Sequence, residues 1–217
     1  MRKPATDVWE VMSTARSIRR FTDEPVDEAT LLRCLEAATW APSGANAQAW
    51  RFIVLQSPAA RAAVAEAAAR ALTVIEPVYG MTRPAADDSS RRARTNRATY
   101  ELHDRARELT SVLFTQYRFE TASELLLGGS IYPAMQTFLL AARAIGLGAC
   151  MTSWASYGGE SLLREAIAIP DDWMLAGHIV VGWPRGRHGP VRRRPVSDVV
   201  FFDRWDKSRE DVAVRRP

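Results

Sequence analysis

Between Ser130 and Gly146 the chain carries apolar side chains on nearly every side of a helical pattern: Tyr132, Met135, Phe138, Leu139, Leu140 and Ala142, interrupted mainly by Gln136 and Arg143. A surface helix keeps one polar face, so a segment apolar all round belongs in a core or between subunits. Gly146 supplies the permissive residue that ends such a helix. The remaining elements must therefore enclose it. The 217 residues are enough for that, since a chain of this size hides roughly 70% of its unfolded surface. One domain over residues 1–217 is expected.

The flanking segments read as a mixture of helices and strands. Thr6 or Asp7 can cap a first helix carrying Val8, Val11, Met12 and Ala15, which runs into Arg16–Arg20. Asp27 caps a second helix with Leu31, Leu32, Leu35 and Ala38 on its inner face. Residues 51–56 (RFIVLQ) read as a strand, and Ser57-Pro58 opens an alanine-rich helix to about Leu72. Residues 77–98, rich in proline, aspartate, serine and arginine, predict a surface loop or lid, and 77–128 as a whole a variable region. A helix is expected from about Thr99 to Thr121. Further strands fall at 147–152 and 174–183, with a short helix at Ser161–Ile169 between them. Strands so widely separated by helices favour an α+β fold, a central mixed sheet flanked by helices. The strand–GxGxxG–helix pattern of a dinucleotide-binding fold is absent. Residues 185–217 start with an arginine- and proline-rich stretch and then the apolar Val199–Phe202, which predicts a C-terminal arm docking elsewhere, as on a second subunit.

Composition narrows the function. The formal net charge is +4, and only Lys3 and Lys207 are lysines. The arginine clusters at 91–94 and 192–194 are not interleaved with aromatics, and no nucleic-acid-binding motif accompanies them, so nucleic acid is not an expected partner. Cys34 and Cys150 make neither a disulfide framework nor a metal site, and Cys34 sits among leucines as a small hydrophobe. His103, His178 and His188 lack metal-ligand spacing. No signal-peptide pattern and no 18-residue apolar run is read, so the expectation is a cytoplasmic protein without a membrane span.

Four segments carry candidate chemistry. Arg16-Ser17-Ile18-Arg19 places two guanidinium groups and a hydroxyl where they can converge on a phosphate dianion if the chain is leaving a helix. They equally suit a helix C-terminus, whose dipole favours cations. Ala41–Phe52 (APSGANAQAWRF) combines a tight Pro42-Ser43-Gly44 turn with the amides of Asn46 and Gln48, a set suited to the polar edge of a flat heterocycle or to an ordinary connecting loop. Gly146–Trp154 (GLGACMTSW) turns from apolar to polar at Thr152 and Ser153, where backbone N–H groups face a ring nitrogen or simply leave a strand. After Gly182-Trp183-Pro184, prolines on both sides stiffen Arg192-Arg193-Arg194, either against a phosphate or as an exposed basic loop.

These four pieces in this order resemble the FMN-dependent nitroreductase superfamily. The matching text is RSIRRF, APSGANAQAWRF, GLGACMTSW, and VVGWP followed by RRRP, over nearly the whole chain and most weakly at 75–128. The resemblance implies an intertwined homodimer with FMN in the subunit interface and a C-terminal arm exchanged between subunits. It assigns Arg16, Ser17 and Arg19 to the first FMN segment, with Arg16 and Ser17 at the phosphate end and Arg19 near the reduced ring. Pro42, Ser43 and Asn46 match a segment given by the other subunit. Thr152, Ser153 and Trp154 line the flavin N5 side, where Ser153-Trp154 would narrow the pocket. Arg193 best matches the late phosphate ligand, with Arg192 or Arg194 as alternatives. Gln48-Ala49-Trp50 departs from the family's usual Gln-Pro-Trp, which loosens the turn and removes no ligand group.

The implied activity is that of an NAD(P)H-dependent FMN oxidoreductase. Hydride would pass from NAD(P)H to flavin N5, and then to a nitroaromatic, quinone or similar flat acceptor in a two-step exchange. No side-chain nucleophile and no metal is expected, because the cofactor carries the redox chemistry. The other readings are a non-catalytic flavin-binding or sequestering protein, and a flavin enzyme of another type, including flavin cleavage or ring dehydrogenation. Halotyrosine dehalogenation is disfavoured, because no lysine stands between Lys3 and Lys207.

Overall fold

Local chemistry sets most helix ends. In a computed structural model, which describes residues 4–205, Asp7 accepts the Glu10 amide at the start of α1 (Val8–Thr14) and Asp27 accepts the Thr30 amide at the start of α2 (Glu28–Thr39). Ser57 caps α3 (Pro58–Tyr79), with Pro58 in the first turn where a missing N–H costs nothing. Gly146, at φ 98°, ends α5 (Glu124–Ile145). The other elements are α4 (Arg91–Asp104), α6 (Glu160–Ile167), and strands β1 (Trp50–Val54), β2 (Thr110–Tyr117), β3 (Gly148–Thr152) and β4 (Trp173–Gly182).

The strands form one sheet in the order β1-β2-β4-β3, and every ladder is antiparallel. A single parallel bridge, Ser17 to Ala149, adds the segment after α1 to the β3 edge. Side chains alternate across the sheet. Leu113 and Val180 face a core completed by α3, α6 and the end of α4, through Val64, Ala67, Ala68, Leu163 and Leu102. Val112, Phe114, Ile179 and Val181 face a second core against α2 and α5, through Leu31, Cys34, Ile131, Met135 and Phe138. The α+β expectation is met, and Cys34 is a buried hydrophobe as read.

Five expectations change. The loop expected over 77–98 is confined to residues 80–90, because α3 runs past Leu72 to Tyr79 and α4 starts at Arg91. The helix expected over Thr99–Thr121 is two elements: α4 ends at Asp104, and Thr110–Tyr117 is the strand β2, central between β1 and β4. Buried on both faces, β2 shows no polar alternation to reveal it. The first helix stops at Thr14, so Arg16–Arg20 is not helical. The apolar helix starts at Glu124 under a Ser123 cap rather than at Ser130, and it carries Pro133 within it. It is also long and apolar enough to cross a membrane by length and composition, contrary to the reading that no such segment exists. Its inner side, from Leu127 to Ala142, packs on the sheet.

The polar stretch after α3 is tied down by arginine. Arg92 donates to the Gly80 carbonyl, Arg97 to that of Ala85, and Arg83 forks onto Asp104 with contacts of 2.6 and 2.8 Å while lying 4.5 Å over the Tyr100 ring.

Candidate functional site

A cavity of about 780 Å³ opens at the β3 edge of the sheet. Its floor is Gly146–Ala149, the turn from α5 into β3. One wall is Thr14–Ile18, another is the face of α5 bearing Gln136, Leu139 and Arg143, and the third is the segment after β4, with Arg187, His188, Val191 and Arg193. Four guanidinium groups therefore converge on one hollow: Arg16, Arg143, Arg187 and Arg193. Ser17 adds a hydroxyl. Guanidinium forks and hydroxyls are the donors that a phosphate ester needs. The volume suits a small-molecule ligand of cofactor size.

Local folding explains the convergence. Because α1 ends at Thr14 and Ala15 is extended, the next residues run alongside β3, where Ile18 N–H donates to the Ala149 carbonyl at 2.9 Å. The Val191 amide bonds the Ser13 carbonyl at 2.8 Å and brings the late arginine segment to the same place. Arg143 is held by Thr14, whose hydroxyl accepts from Nε at 2.7 Å, and more weakly by Glu10.

The predicted site residues fall into three groups. Arg16, Ser17 and Arg193 line the cavity. Of the three clustered arginines only Arg193 does so; Arg192 and Arg194 are exposed outside it. Arg19 is elsewhere. In an extended chain three residues span about 10 Å, so Arg16 and Arg19 do not converge on one anion. Arg19 lies by the second half of β3, near enough to the buried Cys150 thiol to oppose the upward shift that burial gives it. Ser17 acts on that thiol in the same direction.

Thr152, Ser153 and Trp154 form a second group at the far end of β3. The Thr152 hydroxyl pairs with His178 Nδ1 at 2.8 Å. Ser153 is exposed, and its carbonyl accepts the Tyr157 amide. Trp154 does not narrow a pocket: it is turned into the core, 2% exposed, and its indole N–H donates to His103 Nε2 at 2.9 Å. His178 is buried, and desolvation pushes its pKa down to about 3, so it stays neutral.

The third group, Pro42, Ser43 and Asn46, is exposed or half-buried on another part of the surface. The Gly44 amide donates to the Ser130 hydroxyl and the Gln48 amide to the Ser43 hydroxyl, while Gln48 reaches Asn46. Ala45, Asn46 and Gln48 all have positive φ, which is uncommon outside glycine. None of these residues lines the cavity. Sequence reasoning missed Arg143, Gln136 and Arg187 as lining groups. Arg143 and Gln136 were visible as the polar interruptions of an apolar helix, which was the available signal.

Comparison with known proteins identifies the family. A 5,6-dimethylbenzimidazole synthase from Rhodospirillum rubrum is 30% identical, covering 93% of this chain and 90% of the relative. An NADH dehydrogenase from Thermus thermophilus is 28% identical over 92% and 97% of the two chains. The fold matches an FMN- and NADPH-dependent nitroreductase from Sphigopyxis sp., with TM-score 0.65, 24% identity and coverage of 92% and 100%. It also matches a nitroreductase-type protein from Desulfovibrio desulfuricans in complex with FMN, with TM-score 0.66, 24% identity and coverage of 93% and 99%. The family model described as Nitroreductase family matches residues 12–183, and so the chain belongs to the nitroreductase family.

Proposed function

We propose that this chain is an FMN-dependent oxidoreductase that takes reducing equivalents from NAD(P)H and delivers them to a nitroaromatic, quinone or similar flat, electron-poor acceptor. The observation that carries the reading is the cavity in which Arg16, Ser17, Arg143 and Arg193 meet at the β3 edge. That donor set fits the phosphate end of FMN, and Arg19, farther along the same extended segment, fits the reduced ring, where a cation stabilises developing negative charge. Thr152 and Ser153 would then border the flavin N5 side, with Trp154 behind them in the core. When bound, FMN supplies the hydride and electron chemistry; the chain binds it, orients it and sets the charge around it.

Pro42, Ser43 and Asn46 fit this site only if a second copy brings them, so the reading includes a homodimer. Large exposed apolar side chains on α1, α2 and α5 support one: Trp9, Met12, Leu32, Trp40, Leu125 and Tyr132. Residues 1–217 would form one domain, with 77–128 as the lid or variable region and 185–217 as the exchanged arm. Residues 206–217 of that arm lie outside the described residues.

The dimethylbenzimidazole synthase among the relatives favours a second reading. The dimethylated benzene ring of FMN is part of that product's skeleton, so bound flavin itself would be the substrate of an oxygen-dependent cleavage. One experiment separates the readings: an absorbance spectrum of the pure protein with FMN, before and after anaerobic NADPH, then after air. Bleaching and full recovery support the oxidoreductase. Loss of flavin absorbance in air supports cleavage. Bound flavin that NADPH does not bleach indicates a sequestering protein, and a protein that takes up no FMN sinks all three.

A further inference from the structure

We infer that His103 is a positioning residue, a proton-sensitive latch that holds the Thr152–Trp154 segment in place through the Trp154 indole and makes the grip on flavin depend on pH. The last clause rests on the flavin reading; the latch itself rests on geometry alone.

His103 lies near the end of α4, fifty-one residues from Trp154 in sequence. Its two ring nitrogens each meet a partner with a single role. Nδ1 is 2.8 Å from the Thr99 carbonyl, which can only accept. Nε2 is 2.9 Å from the indole N–H, which can only donate. One protonation state satisfies both: neutral imidazole with its hydrogen on Nδ1 and a lone pair on Nε2. An imidazolium would set an N–H against an N–H at hydrogen-bond distance and break the link.

What the link holds is the end of β3. The indole sits between two imidazoles, 5.3 Å from His103 and 5.0 Å from His178. His178 in turn pairs with Thr152. The segment Thr152-Ser153-Trp154 is thus fastened to β4 at one end and to α4 at the other, and α4 carries the 80–90 loop through Arg83 and Asp104. The charged groups around His103 come from three elements. Arg19, on the segment along β3, and Arg83, in the loop after α3, oppose its protonation, whereas Asp104 on α4 favours it. Burial is the largest influence and also favours the neutral ring.

The test uses the full chain, ¹⁵N-labelled, with the Trp154 indole signal assigned by its disappearance in Trp154→Phe. On acidification from pH 7.5 the wild-type indole signal should move as its bond is lost. In His103→Gln, whose side-chain carbonyl accepts the indole N–H and does not titrate, it should stay in place. FMN affinity measured alongside should fall more steeply in the wild type than in His103→Gln, the difference approaching roughly tenfold per pH unit below the imidazole's own pKa, because protonation of the FMN phosphate acts alike on both proteins. An indole signal that ignores pH in the wild type, or the same pH dependence in both proteins, overturns the latch. A titrating indole in a protein that binds no FMN at pH 7.5 sustains the latch and overturns the flavin reading. Should Trp154→Phe fail to fold, His103→Gln alone still decides, because it keeps the indole and its acceptor.

Discussion

The Gly44 amide donates to the Ser130 hydroxyl at 3.1 Å, so the Pro42–Asn46 turn is fastened to the helix whose next turns wall the cavity. From Ser130 to Gln136 the helix rises roughly 9 Å. The turn therefore sits beside its own chain's cavity without entering it. Substituting Ser130→Ala removes an acceptor from a largely exposed donor, which water replaces. The expected loss of stability is about 0.5–1 kcal/mol. If the proposed dimer places this turn against the cofactor of the other subunit, the effect on FMN binding is larger than that figure, because a loosened turn pays ordering entropy on contact. Denaturant unfolding and FMN titration of the same variant check this. Equal, small losses in both would show that the turn does not contact the cofactor.

Much of the fold was legible because helix ends are local. Asp7, Asp27, Ser57 and Gly146 act through atoms three or four residues away, and each sits where its chemistry predicts. β2 was not legible. Its residues from Ser111 to Gln116 are buried on both faces, and its identity as a strand comes from β1 and β4, which are distant in sequence. The start of α5 was hidden for a related reason: packing of Leu127 and Ile131 on the sheet carries the helix through Gly128 and Gly129 back to its Ser123 cap. For the site, Arg16, Ser17 and Arg193, which the family resemblance singled out, are residues that line the cavity. The orientation of Trp154 was not legible, because a tryptophan in a polar exit reads as exposed until His103 and His178 are brought beside it.

His178 makes stability depend on pH. The folded ring stays neutral down to about pH 3 because burial penalises its charged form, whereas the unfolded ring takes up a proton near the ordinary value of 6.5. A folded pKa below the unfolded one means that the stabilisation is complete above about pH 6.5 and is lost as pH falls toward 3. The slope from one such proton is about 1.4 kcal/mol per pH unit. His178→Leu fills the same space, leaves no unpaired nitrogen, and should flatten the acid limb by that slope. His103 contributes in the same direction in both proteins, so the difference between them isolates His178. Urea denaturation at pH 7, 6 and 5 measures it, and parallel acid limbs would refute the assignment.

Gly148 and Gly177 should respond differently to alanine. A Cβ on Gly148 would come within 2.8 Å of the Ile18 Cβ and Cγ2 atoms, close to a backbone fixed by its bond to Ala149. Isoleucine is stiff at χ1 and has little room to turn away. Gly148→Ala should therefore cost about 1–3 kcal/mol and displace the segment that carries Arg16 and Arg19, weakening FMN binding as well. On Gly177 the added Cβ would meet the Met135 Cε and Sδ atoms. Those are the far end of a flexible chain that can change rotamer. Gly177→Ala should cost under about 1 kcal/mol and leave FMN binding unchanged. Thermal unfolding of the two variants, with FMN titration, distinguishes them; a reversed order would show that Ile18 yields more easily than its side chain suggests.

Arg193 is the sharpest test of the phosphate end, because two neighbours of identical chemistry serve as controls. Arg193 lines the cavity, whereas Arg192 and Arg194 do not. A charge-assisted bond from guanidinium to phosphate contributes about 1.5–3 kcal/mol, which corresponds to roughly a 10- to 100-fold change in affinity. Arg193→Ala should weaken FMN by that factor, and Arg192→Ala and Arg194→Ala by less than about threefold. Riboflavin, which lacks the phosphate, should bind all four proteins alike. Loss of riboflavin affinity in Arg193→Ala would mean that the substitution disturbs the ring site rather than the phosphate end. Equal FMN losses in the three variants would mean that the basic arm acts through net charge instead of through one placed guanidinium; raising the salt concentration would then erase the effect, since long-range attraction is screened while a contact inside the cavity persists.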